Sequence, residues 1–493
     1  MNILIRLAVM LNLLGAGLFL RFPVAGSEQA MLPTPAPEGV DGRAESGNGD
    51  IYLPVAVGMR TPGQVASIPR VNVPYFDGEI KPAESAVFWF GQVKRTENYS
   101  DVRVGYNSEE LFVQLSVFDR LTWYDTQPAP HDLENWDAAT LYLDLSGNTG
   151  GKPGKSAYRF TGQLNWWEDR QDYQAAYRGS ELGWLPASTP FTTGTSYRGD
   201  APNNTGEDRG WRISYLIPFE SLGLPGPPPE GTVWGFAVRL FDRDDAAGTP
   251  ILPVTWPDGA NLGRSATWAR LSFGLPAYDP PDVTPGGTTI IRHGLGGAQI
   301  VDGQVGGSTT CGRGLEVFTE WGEANYAGYD KINIQNQADV ADWPCFSKIY
   351  ITFPLNRVPA GKAILSAKLT LYQFGNAGGG DSGPGQDSLI QALTVREDWD
   401  EDTLNWNNAP GAVENVSRSW VGWLASQPAW PGAARTWDVS QATERAYSAG
   451  EPLRLVFYSA DTERHSGKYF ITSDTLDWNE EGRPTLEVVW GTP

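Results

Sequence analysis

The chain has 493 residues, enough for about three domains of ordinary size or two large β domains plus a tail. Its 37 Lys+Arg stand against 58 Asp+Glu, a formal charge of −21 whose field repels phosphate backbones and anionic lipid, so nucleic acid is not an expected partner. Twenty Trp, nineteen Tyr and nineteen Phe accompany only three His, two Cys and four Met. Flat apolar rings in that excess over redox and nucleophilic groups favour binding over catalysis, because an indole face can stack on the C–H side of a pyranose while the sugar hydroxyls bond at its rim.

Taken in chain order, Arg6, the apolar run Leu7 to Leu20 and the small residues Val24-Ala25-Gly26 read as an export signal over 1–26. Cleavage there predicts a secreted, extracellular or cell-surface protein. Arg21 stands close behind the apolar run, so an uncleaved N-terminal segment is the alternative and the one membrane contact the sequence allows. Residues 27–69, with Leu32-Pro33-Thr34-Pro35-Ala36-Pro37, are a Pro/Gly-rich linker that cannot bury enough apolar surface to order itself.

Alternating strands follow over 70–275, among them Val102–Tyr106, Leu111–Val117, Thr140–Leu143, Trp211–Tyr215 and Phe236–Leu240. A second Pro/Gly/Asp joint spans 276–287, and another β series fills 288–493. No stretch keeps a 3.6-residue period. The expected fold class is therefore all-β, two jelly-roll-like β-sandwich domains in tandem, with the tryptophans divided equally between them. Cys311 and Cys345 are expected to pair if the chain is exported, the alternative being two separate buried thiols.

From Phe76-Asp77-Gly78 onward, Leu111 to Asp119, Asp137 to Asp144, Ile217-Pro218-Phe219 with Leu222-Gly223, Trp234-Gly235-Phe236 with Asp242, and Thr255-Trp256-Pro257 stand in a fixed order. That order resembles the family 9 carbohydrate-binding modules, part of the DOMON-like β-sandwich group. The resemblance implies a sugar clamp of two tryptophans with an arginine and a carboxylate. Carried over by position, it implies Trp136 and Trp256 as rings, Arg159 as the hydroxyl-binding guanidinium, and Thr140 where the family has its carboxylate. Trp123, Tyr124, Trp166 and Trp167 are alternative platforms. Asp137, and Asp242 with Asp244 in one acidic loop, are the candidate calcium ligands, against a solvated acidic turn. Haem, which some DOMON-like relatives hold, is not expected in a first domain whose sole histidine is His131.

In the second half, Ile351–Leu355, Val358-Pro359-Ala360-Gly361 and Leu365–Tyr372 precede the segment Trp399 to Pro410, with its Trp-x-Glu-x-x-x-x-Trp-x-x-x-Pro spacing. Trp437-Asp438-Val439-Ser440 and Arg483–Val488 follow. This series resembles the DNRLRE domain, carbohydrate-binding module family 96. Relatives of that domain imply acidic polysaccharide as ligand, yet 15 Lys+Arg against 25 Asp+Glu from Gly287 on leave Arg464-His465 with Lys468 as the one basic cluster.

No His-Glu-x-x-His, Gly-x-Ser-x-Gly or Cys/His metal spacing occurs. The expected function is a secreted, non-catalytic polysaccharide-binding protein with two modules, supporting extracellular carbohydrate breakdown or surface attachment. Two alternatives stand beside it: a structural or adhesive surface protein without sugar binding, and a glycoside hydrolase or polysaccharide lyase, since converging carboxylates leave no sequence trace.

Overall fold

The computed structural model describes residues 68–147, 150–340, 343–378 and 385–493. The expected signal segment and all but the end of the first linker lie outside the described residues. Thirteen strands build the first sandwich: β1 (Arg70–Val73), β2 (Ala86–Lys94), β3 (Glu97–Tyr106), β4 (Glu110–Phe118), β5 (Ala138–Asp144), β6 (Ala157–Gln163), β7 (Gln174–Ser180), β8 (Gly183–Pro186), β9 (Thr192–Arg198), β10 (Gly210–Pro218), β11 (Val233–Phe241), β12 (Val254–Trp256) and β13 (Ala269–Phe273). Among the described residues eleven build the second: β14 (Pro285–Arg292), β15 (Val301–Gly306), β16 (Lys331–Ile334), β17 (Ser347–Phe353), β18 (Ala363–Asn376), β19 (Ser388–Val395), β20 (Ala412–Val421), β21 (Ala433–Asp438), β22 (Leu453–Ser459), β23 (Lys468–Ile471) and β24 (Thr485–Gly491), with one α-helix, α1 (Ser440–Ala449). Tandem β-sandwiches are thus the architecture, as the alternating patterns predict. β14 begins at Pro285, inside the stretch expected as the second linker.

In the first sandwich a sheet of order β2-β3-β4-β10-β9 packs on one of order β1-β13-β11-β5-β6-β7-β8. Period-two alternation sends Val102 and Val104 of β3 and Val113, Leu115 and Val117 of β4 into the space between them, where they meet Leu141, Phe160 and Phe236. The second sandwich repeats the scheme with β15-β17-β22-β19-β20 facing β14-β24-β18-β23-β16 across Ile351, Leu369, Trp437 and Phe457. Cys311 and Cys345 form a disulfide.

The two sandwiches are not separate beads. β1 also pairs with β20 through Arg70 and Glu414, so one sheet runs through both halves. Asn72 and Asn415 exchange bonds: the Asn72 amide donates to Asn415 Oδ1 at 2.7 Å, and Asn415 Nδ2 donates to the Asn72 carbonyl at 2.8 Å. The outer face of β2-β3-β4, which alternation alone would leave to solvent, is covered by the second half. Trp89, Tyr99 and Phe118 share one buried cluster with Trp343, Trp406 and Tyr458.

The charged groups on that face find partners inside it, as burial requires. Arg103, fully buried, donates from Nε to the Ala460 carbonyl (2.9 Å), from Nη2 to Asn336 Oδ1 and the Asp461 carbonyl (both 3.0 Å), and from Nη1 to Ser116 Oγ (3.0 Å). Asp101 accepts from the Tyr99 and Tyr458 hydroxyls, each at 2.8 Å. Lys348 Nζ donates to the Tyr99 hydroxyl at 2.6 Å and lies 3.8 Å from the Trp406 ring centre and 4.0 Å from that of Trp89. Burial drives its ammonium pKa well down, opposed by the Asp101 charge.

Candidate functional site

The register of the first sandwich places a set of polar and aromatic groups on one outer sheet face. Across β11, β5, β6 and β7, Thr140 lies opposite both Arg239 and Thr161, and Arg159 lies opposite both Tyr142 and Tyr177. Directly paired residues project to the same side, so these side chains stand together away from the core. The short turn Leu133–Asn135 ahead of β5 adds Glu134. Its Oε1 takes a salt bridge from Arg159 Nη2 at 2.5 Å and hydrogen bonds from Thr140 Oγ1 at 2.6 Å and Thr161 Oγ1 at 3.3 Å.

The Arg159 guanidinium lies 4.5 Å from the Tyr177 ring centre, while its Nε and that of Arg239 have no acceptor among the described residues. Tyr177 also borders an open depression of about 590 Å³ shared with Gln174, Thr189 and Phe191. A guanidinium fixed by a carboxylate over a phenol beside an opening is suited to holding vicinal hydroxyls.

The structure treats the expected clamp residues unequally. Arg159 is in the cluster. Thr140 is there too, buried, and its hydroxyl donates to Glu134 in the preceding turn. Trp136 is half-buried with one ring face under the Arg243 guanidinium, 3.7 Å from the ring centre.

Trp256 is a correction. It is 6% exposed, stacked on Phe88 at 3.9 Å and edge-on to Phe236, so it fills core space between the two sheets and has no face to offer a sugar. Of the alternative platforms, Trp123 and Tyr124 are buried, whereas Trp166 and Trp167 stack on each other at 5.2 Å and Trp167 is exposed. Glu134 and Tyr177 escape sequence reasoning, although Glu134 precedes Asp137 by one helical-type turn and Tyr177 is the middle residue of β7, whose alternation is broken.

A second centre lies at one end of the same sandwich. Asp119 follows β4, Asp137 precedes β5 and Asp242 follows β11, and the antiparallel pair Ala138–Phe241 brings the last two together. Carboxylate oxygens of all three lie within 4.8 Å of one another. Asp137 accepts from the amides of Trp123 (2.6 Å) and Arg243 (2.9 Å), and Asp119 from the Leu121 amide and Trp211 Nε1, both at 3.0 Å. Asp242 Oδ1 is buried without a partner among the described residues.

Burial, then the neighbouring carboxylates, pushes Asp119 and Asp137 well above the usual range, and burial with the Asp244 charge pushes Asp242 up to about 7. An all-oxygen donor set with an orphaned buried oxygen fits a hard cation. Asp244, expected as a ligand, lies outside the three and acts on Asp242 through its charge. Asp119 takes its place. The signal was present in the Val-x-Asp end of β4, a strand-terminal aspartate like Asp137.

In the second half the Trp399–Pro410 segment is structural. Trp406 is buried in the cluster between the sandwiches, and Asn407 Oδ1 accepts from the Val93 amide at 2.8 Å. The basic cluster does not form: Lys468 is buried, donating to the Gln386 carbonyl at 2.6 Å, and burial lowers its pKa to about 8.

Residues 318–482 match the model of carbohydrate-binding module family 96. Among solved structures the chain is similar to a family 9 carbohydrate-binding module from Caldicellulosiruptor kristjanssonii in complex with cellotriose, at 15% identity over 42% of this chain and 95% of that one, TM-score 0.29. It is also similar to a family 9 module from Caldicellulosiruptor kristjanssonii in complex with glucose, at 15% identity over 43% and 100%, TM-score 0.30. Among curated proteins, none matches. The second half thus carries a region that matches family 96, as its sequence resemblance implies.

Proposed function

We propose that this is an exported, non-catalytic protein that holds neutral polysaccharide on the outer face of its first sandwich. Arg159 fixed over Tyr177 by Glu134 is the observation that carries the reading. The guanidinium charge is already matched by Glu134, so the face suits hydroxyls better than carboxylates of a uronate. Thr140 and Thr161 keep Glu134 in place, and Trp136 with Arg243 forms one border.

The Asp119–Asp137–Asp242 centre binds calcium in this reading. The ion neutralises carboxylates that burial would otherwise protonate, and it ties the three strand ends together. Its role is to steady the loops that carry Trp123, Trp136 and Arg243, with no step of chemistry.

Retention of the purified chain on insoluble cellulose, xylan, mannan and alginate tests the proposal. Retention on at least one neutral polymer is expected, with Arg159→Ala reducing it at least tenfold because both the hydroxyl fork and the Tyr177 cover are lost. Absence of retention on every polymer sinks the reading.

A further inference from the structure

We propose that Trp430 and Trp478 form a second platform for neutral saccharide chains, on the side of the second sandwich that faces away from the first; this rests on the reading of the chain as a polysaccharide binder. Trp430 is 51% and Trp478 63% exposed, and their ring centres are 4.8 Å apart with planes at 89°. A single exposed tryptophan is ordinary, but two indoles held in contact at the surface leave a large apolar area in water. Perpendicular planes make a corner, with one indole as floor for the C–H face of a pyranose and the other as wall for its edge.

Both rings stand on fixed backbone. Trp430 lies in the turn before β21, where the Gly432 amide donates to the Ala429 carbonyl at 2.9 Å. A Cβ at Gly432 would come within 2.9 Å of the Gln373 carbonyl, so this turn is pressed against β18. Trp478 sits in the Asp477–Gly482 turn before β24. Arg483, nearly fully buried, pins that turn by donating to the Thr475 carbonyl (2.6 Å) and to Asp477 Oδ1 (2.7 Å). Little ordering is left to be done on binding, which is what makes an aromatic surface effective for a weakly interacting ligand. The sheet beneath, β14-β24-β18-β23-β16, gives no residue to the cluster between the sandwiches, so the corner is open in the assembled molecule.

Charge selects the occupant. Asp477, Glu480 and Glu481 are exposed in the same turn as Trp478, and Arg483, which follows that turn, is already bound to Asp477 and the Thr475 carbonyl. Uronates and sulfated glycans are repelled there, whereas the carboxylates can accept hydrogen bonds from the hydroxyls of neutral pyranoses.

Native affinity electrophoresis of the full chain through gels containing hydroxyethylcellulose, glucomannan or alginate tests this. Retardation by a neutral polymer and none by alginate is expected. Trp478→Ala and the Trp430→Ala/Trp478→Ala double variant should each weaken it at least fivefold, and Trp478→Phe, which keeps a ring, should retain most of it. Normal retardation of the double variant alongside loss in Arg159→Ala overturns the second platform and leaves the first-face reading standing. Loss in the double variant with Arg159→Ala unaffected overturns the first face and supports the second. Retardation by alginate above that of the neutral polymers overturns the assignment of ligand, and unretarded wild-type protein overturns both sites.

Discussion

Asp242 shows what a single buried group can report. A carboxylate raised to about 7 by burial is favoured in its protonated form in the folded chain, while its unfolded value is near 4. Its contribution to stability is therefore full below about pH 4 and is lost as pH climbs through 7, and Asp119 and Asp137, raised well above the usual range, act in the same direction. Calcium reverses the sign by favouring the ionised forms. Chelator-treated protein is expected to melt lower at pH 8 than at pH 5 by way of this centre. One millimolar calcium should raise the midpoint by a few degrees at pH 8 and by much less at pH 5, since an ion at 100 times its Kd adds ~2.7 kcal/mol. Asp242→Asn should erase the calcium response at pH 8 while raising the chelated midpoint. An undiminished calcium shift in that variant, followed by differential scanning fluorimetry, refutes the centre. At this scale the sequence is legible where chemistry is peculiar to the residue: the single guanidinium of β6, Arg159, stands on the outer face against Glu134 and Tyr177. It is opaque where one residue type serves two ends. Trp256 in Thr-Trp-Pro reads alike as platform or core, and the decision is made by Phe88 on a strand far away in the chain.

Strands β3 and β4 carry the same lesson at the scale of the element. Their alternation was enough to define them as strands and to assign Val102, Val104, Val113 and Leu115 to the core, because pleating fixes which residues share a face. Alternation also marks Asp101, Arg103 and Ser116 as a solvent face, yet all three are fully buried, since a second sandwich lies on them. No local pattern encodes that cover, whose partners, Ala460, Asp461 and Asn336, come from the far half. The energetic consequence is large. Arg103→Ala would strand several buried acceptors together, each costing roughly 1–3 kcal/mol, so about 3–5 kcal/mol of stability should vanish. Lys368→Ala, breaking an exposed pair with Glu487 across β18 and β24, should cost about 0.5 kcal/mol or less. Chemical denaturation of the two variants gives the comparison, and equal losses would mean that the interface carries no special weight.

For the whole molecule, the question is whether two sandwiches make two folding units. Trp89, Tyr99 and Phe118 from one side and Trp343, Trp406 and Tyr458 from the other fill the space between them. At about 2 kcal/mol for each fully buried large side chain, six such rings contribute on the order of 10 kcal/mol, before the Arg103 and Lys348 networks are considered. Net domain stability is only about 5–15 kcal/mol, so removing either half takes away most or all of what the other needs. Separation would also take Ala460, Asp461 and Asn336 from Arg103 and the Tyr99 hydroxyl from Lys348, and leave a broad aromatic surface in water. Residues 68–277 and 278–493 expressed apart are therefore expected to be insoluble or molten. The intact chain should unfold in one calorimetric transition, and calcium at the Asp119 centre should raise that transition as a whole and not a first-sandwich part of it. One rigid body also holds the Arg159 face and the Trp430–Trp478 corner at a fixed separation, so a polymer engaging both would meet sites that need no linker to be ordered first. Two resolved transitions, with only one moving on addition of calcium, would return the molecule to a pair of independent modules and make the shared cluster a contact of little thermodynamic weight.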